Sequence, residues 1–171
     1  MRPPVEITIV VPGVIVPWQR PRKKRHKDGK EHWYTKPEVE TYLAVVRHEA
    51  AFVMGDNPPL EGAIELSLLA VWLPPDSWSL RRRGMAVSGL IQKVTRPDLD
   101  NSIKGFKDAV RGIVYRDDKQ VVSYGHCAKV YGDRPRLEAR VTLIDHMPAE
   151  LPATPTARQH ELFALFTGAV A

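Results

Sequence analysis

The sequence predicts an α+β fold in one small domain, a mixed sheet with helices packed on it. Three observations point there. Strand-like runs and helical periods come mixed rather than in strict alternation. The last two strand-like runs are separated only by a short turn-forming stretch, which predicts a hairpin. The chain has 171 residues, a length that suits a single core.

Val5-Glu6-Ile7-Thr8-Ile9-Val10-Val11 alternates and predicts a strand, closed by Pro12-Gly13. Residues 17–34 form a basic arm without apolar period, expected as a loop or mobile hairpin. Thr35-Lys36-Pro37-Glu38 has the Thr-x-x-Glu spacing of a capping box, with Pro suited to the first turn. The helix that follows should bury Val39, Tyr42, Val46 and Ala50 and stop near Gly55. Residues 60–73 read as a mostly buried strand ended by Pro74-Pro75. Residues 77–94, with Arg81-Arg82-Arg83 and two glycines, are expected as an inserted loop within 74–95. Residues 100–111 predict a helix with Ile103, Phe106 and Val110 inward, ended by Gly112. Residues 120–130 and 137–143 predict two strands, joined as a hairpin by Tyr131-Gly132-Asp133-Arg134-Pro135. The domain is expected over 1–147. Residues 148–171 read as a linker and a short C-terminal helix carrying Leu162, Phe163, Leu165 and Phe166.

Charge is unevenly spread. The net charge is +5, while Arg20, Arg22, Lys23, Lys24, Arg25, Lys27 and Lys30 against Asp28 give +6 locally, leaving −1 elsewhere. A local basic cluster with Trp18, Trp33 and Tyr34 interleaved suits nucleic acid, since cations neutralise phosphates and aromatics stack on unpaired bases. The bland alternatives are a solvated loop or a membrane-surface patch. The arm has neither a lipid signal nor an apolar helical face. Cys127 is the only cysteine, which excludes an intrachain disulfide and cysteine-rich zinc sites. No apolar run approaches the roughly 20 residues of a membrane span, and no signal peptide is expected. A cytoplasmic protein is expected. The six histidines lack paired ligand spacing, and His126 is expected in the core. No Gly-rich phosphate loop or Gly-x-Ser-x-Gly is present, so no nucleotide cofactor is expected.

The acidic residues of the middle third carry the chemistry. Asp98-Leu99-Asp100-Asn101 opens the helix that carries Lys104, and Asp117-Asp118 opens the next strand. A 100–111 helix is about 16–18 Å long, and the return over 112–118 covers about 20 Å when extended. Asp118 can therefore come back to Asp98 and Asp100. Hard cations such as Mg²⁺ take carboxylate, water and phosphate oxygens and can activate water against a phosphodiester. Lys104, one turn past Asp100, suits a carboxylate or a phosphate. Taken singly, Asp98 or Asp100 is a helix cap, Asp117-Asp118 a turn and Lys104 a solvated residue. The combination with a phosphate-seeking arm favours a metal-dependent nuclease.

The run Arg-Pro-Asp-Leu-Asp-Asn, the following Lys, Asp-Ala-Val-Arg-Gly-Ile-Val-Tyr and Asp-Asp-x-Gln-Val-Val resembles the RusA-type Holliday junction resolvases. The likeness extends over roughly 5–145, through the opening strand, Arg20-Pro21-Arg22 and Trp33-Tyr34-Thr35. The resemblance implies a homodimeric α+β domain that cuts four-way DNA junctions by paired symmetric nicks with Mg²⁺ or Mn²⁺. It implies metal ligands at Asp98, Asp100 and Asp118, an essential lysine at Lys104, and supporting roles for Asp117 and Asn101. Three departures stand out: the longer 77–94 loop, a tail without counterpart, and Pro97 where some members have a basic residue.

The expected function is thus a Mg²⁺-dependent endodeoxyribonuclease resolving Holliday junctions in DNA recombination and repair, with the cations of 20–30 holding branched DNA. The alternatives are a non-catalytic nucleic-acid-binding protein whose aspartates only cap, and a metal nuclease without junction selectivity. A sugar-nucleotide transferase using Asp-x-Asp is disfavoured by chain length and by the basic arm.

Overall fold

The computed structural model describes residues 5–25 and 31–144. Lys27, Lys30 and the 148–171 tail with its expected helix lie outside these. The alternation at the start becomes β1 (Glu6–Pro12). The basic arm is a two-stranded antiparallel hairpin, β2 (Arg22–Arg25) and β3 (Glu31–Tyr34). Helix α1 (Pro37–Met54) buries Val39, Tyr42, Val46 and Ala50 as expected, with Leu43 and Met54 added.

The expected capping box is not there. Lys36, not Thr35, holds the cap position, and no side chain caps the helix. Pro37 is the cause, because a proline ring disfavours helical backbone at the preceding residue; Lys36 is extended, with φ −64° and ψ 139°. The helix therefore starts at the proline.

Strand β4 (Ala63–Trp72) follows, with Ile64, Leu66, Leu68 and Ala70 buried. The inserted segment is not all loop. It contains helix α2 (Leu80–Val87), whose Ser79 hydroxyl accepts from the Arg82 amide at 3.3 Å. Arg82 stacks 4.0 Å from the Trp78 ring centroid, and Arg83 lies 3.4 Å from Asp76, so two of the three arginines are engaged within the insertion. Helix α3 (Leu99–Val110) buries Phe106 and Val110, while Ile103 is only partly buried. It gives way at Gly112, whose φ of +80° is a turn conformation suited to glycine.

Strands β5 (Val121–Tyr131) and β6 (Arg136–Ile144) do not form the expected hairpin. The sheet order is β1-β6-β4-β5, with β4 parallel to β5 and antiparallel to β6. The short 132–135 connection passes over the end of β4, where the Gly132 amide donates to the Trp72 carbonyl at 2.9 Å. A side chain at Gly132 would overlap Val71. Alternation identifies a strand but not its partner, so the central β4 was invisible in the turn.

Helices α1 and α3 share the core formed on one sheet face, with Ile9, Val11, Leu66, Phe106, Tyr115, Leu137 and Val141 buried. Each such side chain contributes roughly 1.5–3 kcal/mol by leaving water. Among the described residues, strand β5 is the sheet edge beside β4. His126, expected in the core, is instead exposed there, beside a register shift between Leu66 and Leu68, and its amide donates to Ser67 Oγ at 3.1 Å.

Candidate metal centre and nucleic-acid interface

Helix α3 and the turn entering β5 form two sides of one cleft of about 310 Å³, lined by Asp100, Ile103, Lys104, Lys107, Asp118 and Tyr124. The two acidic segments therefore meet, as the chain lengths allow, with one carboxylate from each. Asp98 lines the adjoining cleft with Trp18, Gln19, Arg96, Pro97 and Asn101. Among the described residues no three His, Cys, Asp or Glu side chains are gathered closely enough to hold a metal ion. The expected cage of Asp98, Asp100 and Asp118 is thus represented by the Asp100–Asp118 pair, with Asp98 next door.

The bland reading of these aspartates divides them. Asp98 occupies the cap of α3, yet its carboxylate accepts no first-turn amide. Asp117 does act as a cap: it accepts from the Lys119 amide at 3.0 Å and completes a capping box with Gln120 over the 3₁₀ turn Asp118–Gln120. Among the described residues, the carboxylates of Asp98, Asp100 and Asp118 make no hydrogen bond or ion pair. Asp118 Oδ1 is moreover buried without any partner. A buried, unsatisfied carboxylate oxygen is costly, and a hard divalent cation takes oxygen donors of this kind. The residues present fit such a cation.

Gln120 fixes where Asp118 sits. Its Nε2 donates to the carbonyls of Leu60 (2.9 Å) and Gly62 (3.1 Å), while Oε1 accepts from the amides of Arg116 (2.8 Å) and Asp117 (3.0 Å). One side chain thereby ties the acidic turn to the approach to β4.

Two lysines hold the other acidic segment. Lys93 Nζ donates to Arg96 O at 3.0 Å and Thr95 Oγ1 at 3.1 Å; Lys129 Nζ donates to Thr95 O at 2.9 Å and Pro97 O at 3.0 Å. Lys93 is buried over the Trp72 and Tyr131 rings, and burial, aided by the charge of Lys129, pushes its ammonium below the ordinary lysine range.

Lys104 is half-exposed, 3.7 Å from Asp108 and 4.7 Å from the Trp18 ring centroid. The Trp18 amide donates to the Asn101 carbonyl at 3.1 Å. Asn101 thus anchors the root of the basic arm to α3 through its backbone. Trp18, read from sequence as available for base stacking, is instead partly buried against this helix. Trp33, 62% exposed, and Tyr34 remain open on the hairpin, where Lys23 pairs with Glu31 and lies 5.8 Å from the Trp33 centroid. Arg20 and Arg25 are exposed. Arg22 and Lys24 occupy β2 opposite Tyr34 and His32.

Sequence reasoning missed Lys93, Lys129, Gln120, Lys107 and Tyr124. Lys107 was accessible, being three residues past Lys104 on the same helical face. Gln120 stands three residues past Asp117, the spacing of a capping box; Lys93, Lys129 and Tyr124 depend on strand pairing and on the insertion.

Comparison with known proteins agrees with this architecture. A profile of the family described as "Endodeoxyribonuclease RusA" matches residues 12–142. A relative from Bacillus subtilis (strain 168), described as "Uncharacterized protein YqaN", is 40% identical over 63 residues, covering 37% of this chain and 44% of that protein. That match spans less than half of the relative's length. The family profile, in contrast, covers β1's last residue through most of β6 and every element of the cleft. The chain belongs to the RusA endodeoxyribonuclease family.

Proposed function

We propose that this protein is a divalent-metal-dependent endodeoxyribonuclease that resolves four-way DNA junctions by paired, symmetric nicks as a homodimer, in recombination and repair. The observation carrying the reading is the partnerless, buried Asp118 Oδ1 in one cleft with Asp100 and Lys104. Asp100 and Asp118 would hold Mg²⁺ or Mn²⁺, with Asp98 joining from the adjoining cleft. The cation supplies activation of a water and neutralisation of phosphate charge.

The chain's own residues do the rest. Asp118 is held by the Gln120 bracket, so its oxygen is in place before substrate arrives, the arrangement that makes electrostatic catalysis effective. Lys104 stabilises charge on the phosphate and is kept at the cleft by Asp108 and Trp18. Arg20, Arg22, Lys23, Lys24, Arg25, Lys27 and Lys30 grip the phosphates of the junction arms, so affinity falls steeply with salt. A two-fold dimer suits a substrate with two equivalent strands to cut.

Strand-resolved cleavage of a synthetic mobile four-way junction, with and without Mg²⁺, tests this. Symmetric nicks in opposing strands that require metal and vanish in Asp100→Asn are expected. Equal cutting of linear duplex and junction would leave a nuclease without junction selectivity. Binding without cutting in Mg²⁺ or Mn²⁺ would leave a non-catalytic DNA-binding protein.

A further inference from the structure

Lys107 lines the same cleft as Asp100 and Asp118, yet nothing assigned so far to the site uses it. The two lysines of this face differ in their partners. Lys104 is ion-paired with Asp108, whereas Lys107 has no carboxylate partner among the described residues. Lys107 Nζ instead donates to the hydroxyl of Tyr124 at 3.3 Å, from a position 5.8 Å from that ring's centroid. A phenol accepting from an ammonium keeps its own O–H to donate elsewhere. Tyr124 is 53% exposed on edge strand β5 and lines the cleft.

Charge balance gives the pair a purpose. Asp98, Asp100, Asp118 and the Lys104 partner Asp108 carry −4, and Lys104 and Lys107 carry +2. A divalent cation adds +2, and a phosphodiester attacked by hydroxide reaches −2. The cleft then stands at −2 at the most highly charged point of the reaction, and would stand at −3 without Lys107. With the charge of Lys104 shared with Asp108, Lys107 is a second cation placed to meet the phosphate.

We infer that Lys107 and Tyr124 form a second phosphate-contacting pair, donating to a non-bridging oxygen of the DNA backbone held at the Asp100–Asp118 cleft. The inference rests on the nuclease reading above. Lysine supplies charge, and tyrosine orients it and adds a neutral donor. Because the arm carries most of the DNA-binding charge, the pair should affect turnover more than junction affinity.

The test is single-turnover cleavage of a four-way junction in Mg²⁺ by the full chain, with junction affinity measured separately without metal. Native protein is compared with Lys107→Met, Lys107→Arg, Tyr124→Phe and Asp118→Asn. Lys107→Met is expected to cut roughly 10²-fold more slowly, the scale for losing one charge-stabilising donor, with affinity within about threefold. Lys107→Arg should recover most of the rate, and Tyr124→Phe should lose several-fold. Native cutting by Lys107→Met beside an inactive Asp118→Asn overturns this inference alone. Native cutting by Asp118→Asn overturns the nuclease site itself. An equal loss in Lys107→Met and Lys107→Arg, with unchanged melting, also counts against a phosphate contact, because arginine keeps the charge.

Discussion

The ammonium of Lys104 lies 4.7 Å from the centroid of the Trp18 ring, joining the root of the basic arm to the helix that carries Asp100. The backbone repeats the link, since the Trp18 amide donates to the Asn101 carbonyl at 3.1 Å. Gly105 lies directly beneath Trp18, where a methyl would make ordinary contact at 3.5 Å from Trp18 Cβ. The arm proposed to hold DNA and the lysine proposed to face the phosphate thus meet at one residue.

Trp18→Ala should therefore cut a junction about 10-fold more slowly while binding it within a few-fold, because small displacements of a positioned group cost large factors in rate. The cation–π contact itself is worth about 0.5–1 kcal/mol at this exposure. Trp18→Phe keeps a ring and should stay near native. Native cutting rates in Trp18→Ala would show that the arm and Lys104 are not coupled through this residue.

Adjacent aspartates should behave oppositely. Asp118→Asn removes charge from a buried, partnerless oxygen, so the metal-free protein should melt at or above the native temperature. Its melting should no longer rise with Mn²⁺, whereas that of native protein should. Asp117→Ala loses the cap on the 3₁₀ turn, should cost about 1 kcal/mol, and should keep the Mn²⁺ response. Thermal melts with and without Mn²⁺ separate the two. A Mn²⁺ shift surviving in Asp118→Asn would remove Asp118 from the ligand set.

Periodicity carried most of the fold. β1, the buried stripe of α1 and the end of α3 at Gly112 all follow from local spacing, which alternation and helical phase report directly. Pairing was not legible: the 131–135 turn looked like a hairpin, because nothing in β5 or β6 records that β4 lies between them. α2 went unread because its arginines and Gly84 masked its period, although Ser79 stood at the cap. Asp98, Asp100, Lys104 and Asp118 were legible as motif residues. Of their supports, Lys129 reaches Thr95 and Pro97, and Gln120 reaches Leu60 and Gly62, across long stretches of chain, and no spacing rule reports such contacts.

Gln120 concentrates four hydrogen bonds in one amide, linking Leu60 and Gly62 to Arg116 and Asp117. Gln120→Leu leaves two carbonyls and two amides without these partners and should cost about 2–6 kcal/mol, at roughly 0.5–1.5 kcal/mol per bond. The functional signature is a higher Mg²⁺ concentration for half-maximal cutting, because Asp118 loses its bracket. Unchanged metal dependence in a destabilised Gln120→Leu would confine Gln120 to stability.

Tyr42 gives a pH signature independent of the cleft. Its hydroxyl is buried in α1 without a hydrogen-bond partner, and burial pushes the phenol far above the ordinary tyrosine range. Burial does the same to Tyr115, reinforced by the charge of Asp118. A folded-state value raised above the unfolded one means that the unfolded chain loses its phenolic proton first. The two tyrosines' contribution is therefore whole below about pH 10 and declines as pH rises further, so stability should fall through that alkaline range. Tyr42→Phe removes the unsatisfied hydroxyl and one of the two titrations. It should stabilise the protein at neutral pH by about 1 kcal/mol, and its alkaline decline should be shallower than the native one. Denaturant melts at pH 7, 9 and 10.5 measure both effects. A destabilised Tyr42→Phe with an unaltered alkaline slope would mean that the hydroxyl has a partner in solution.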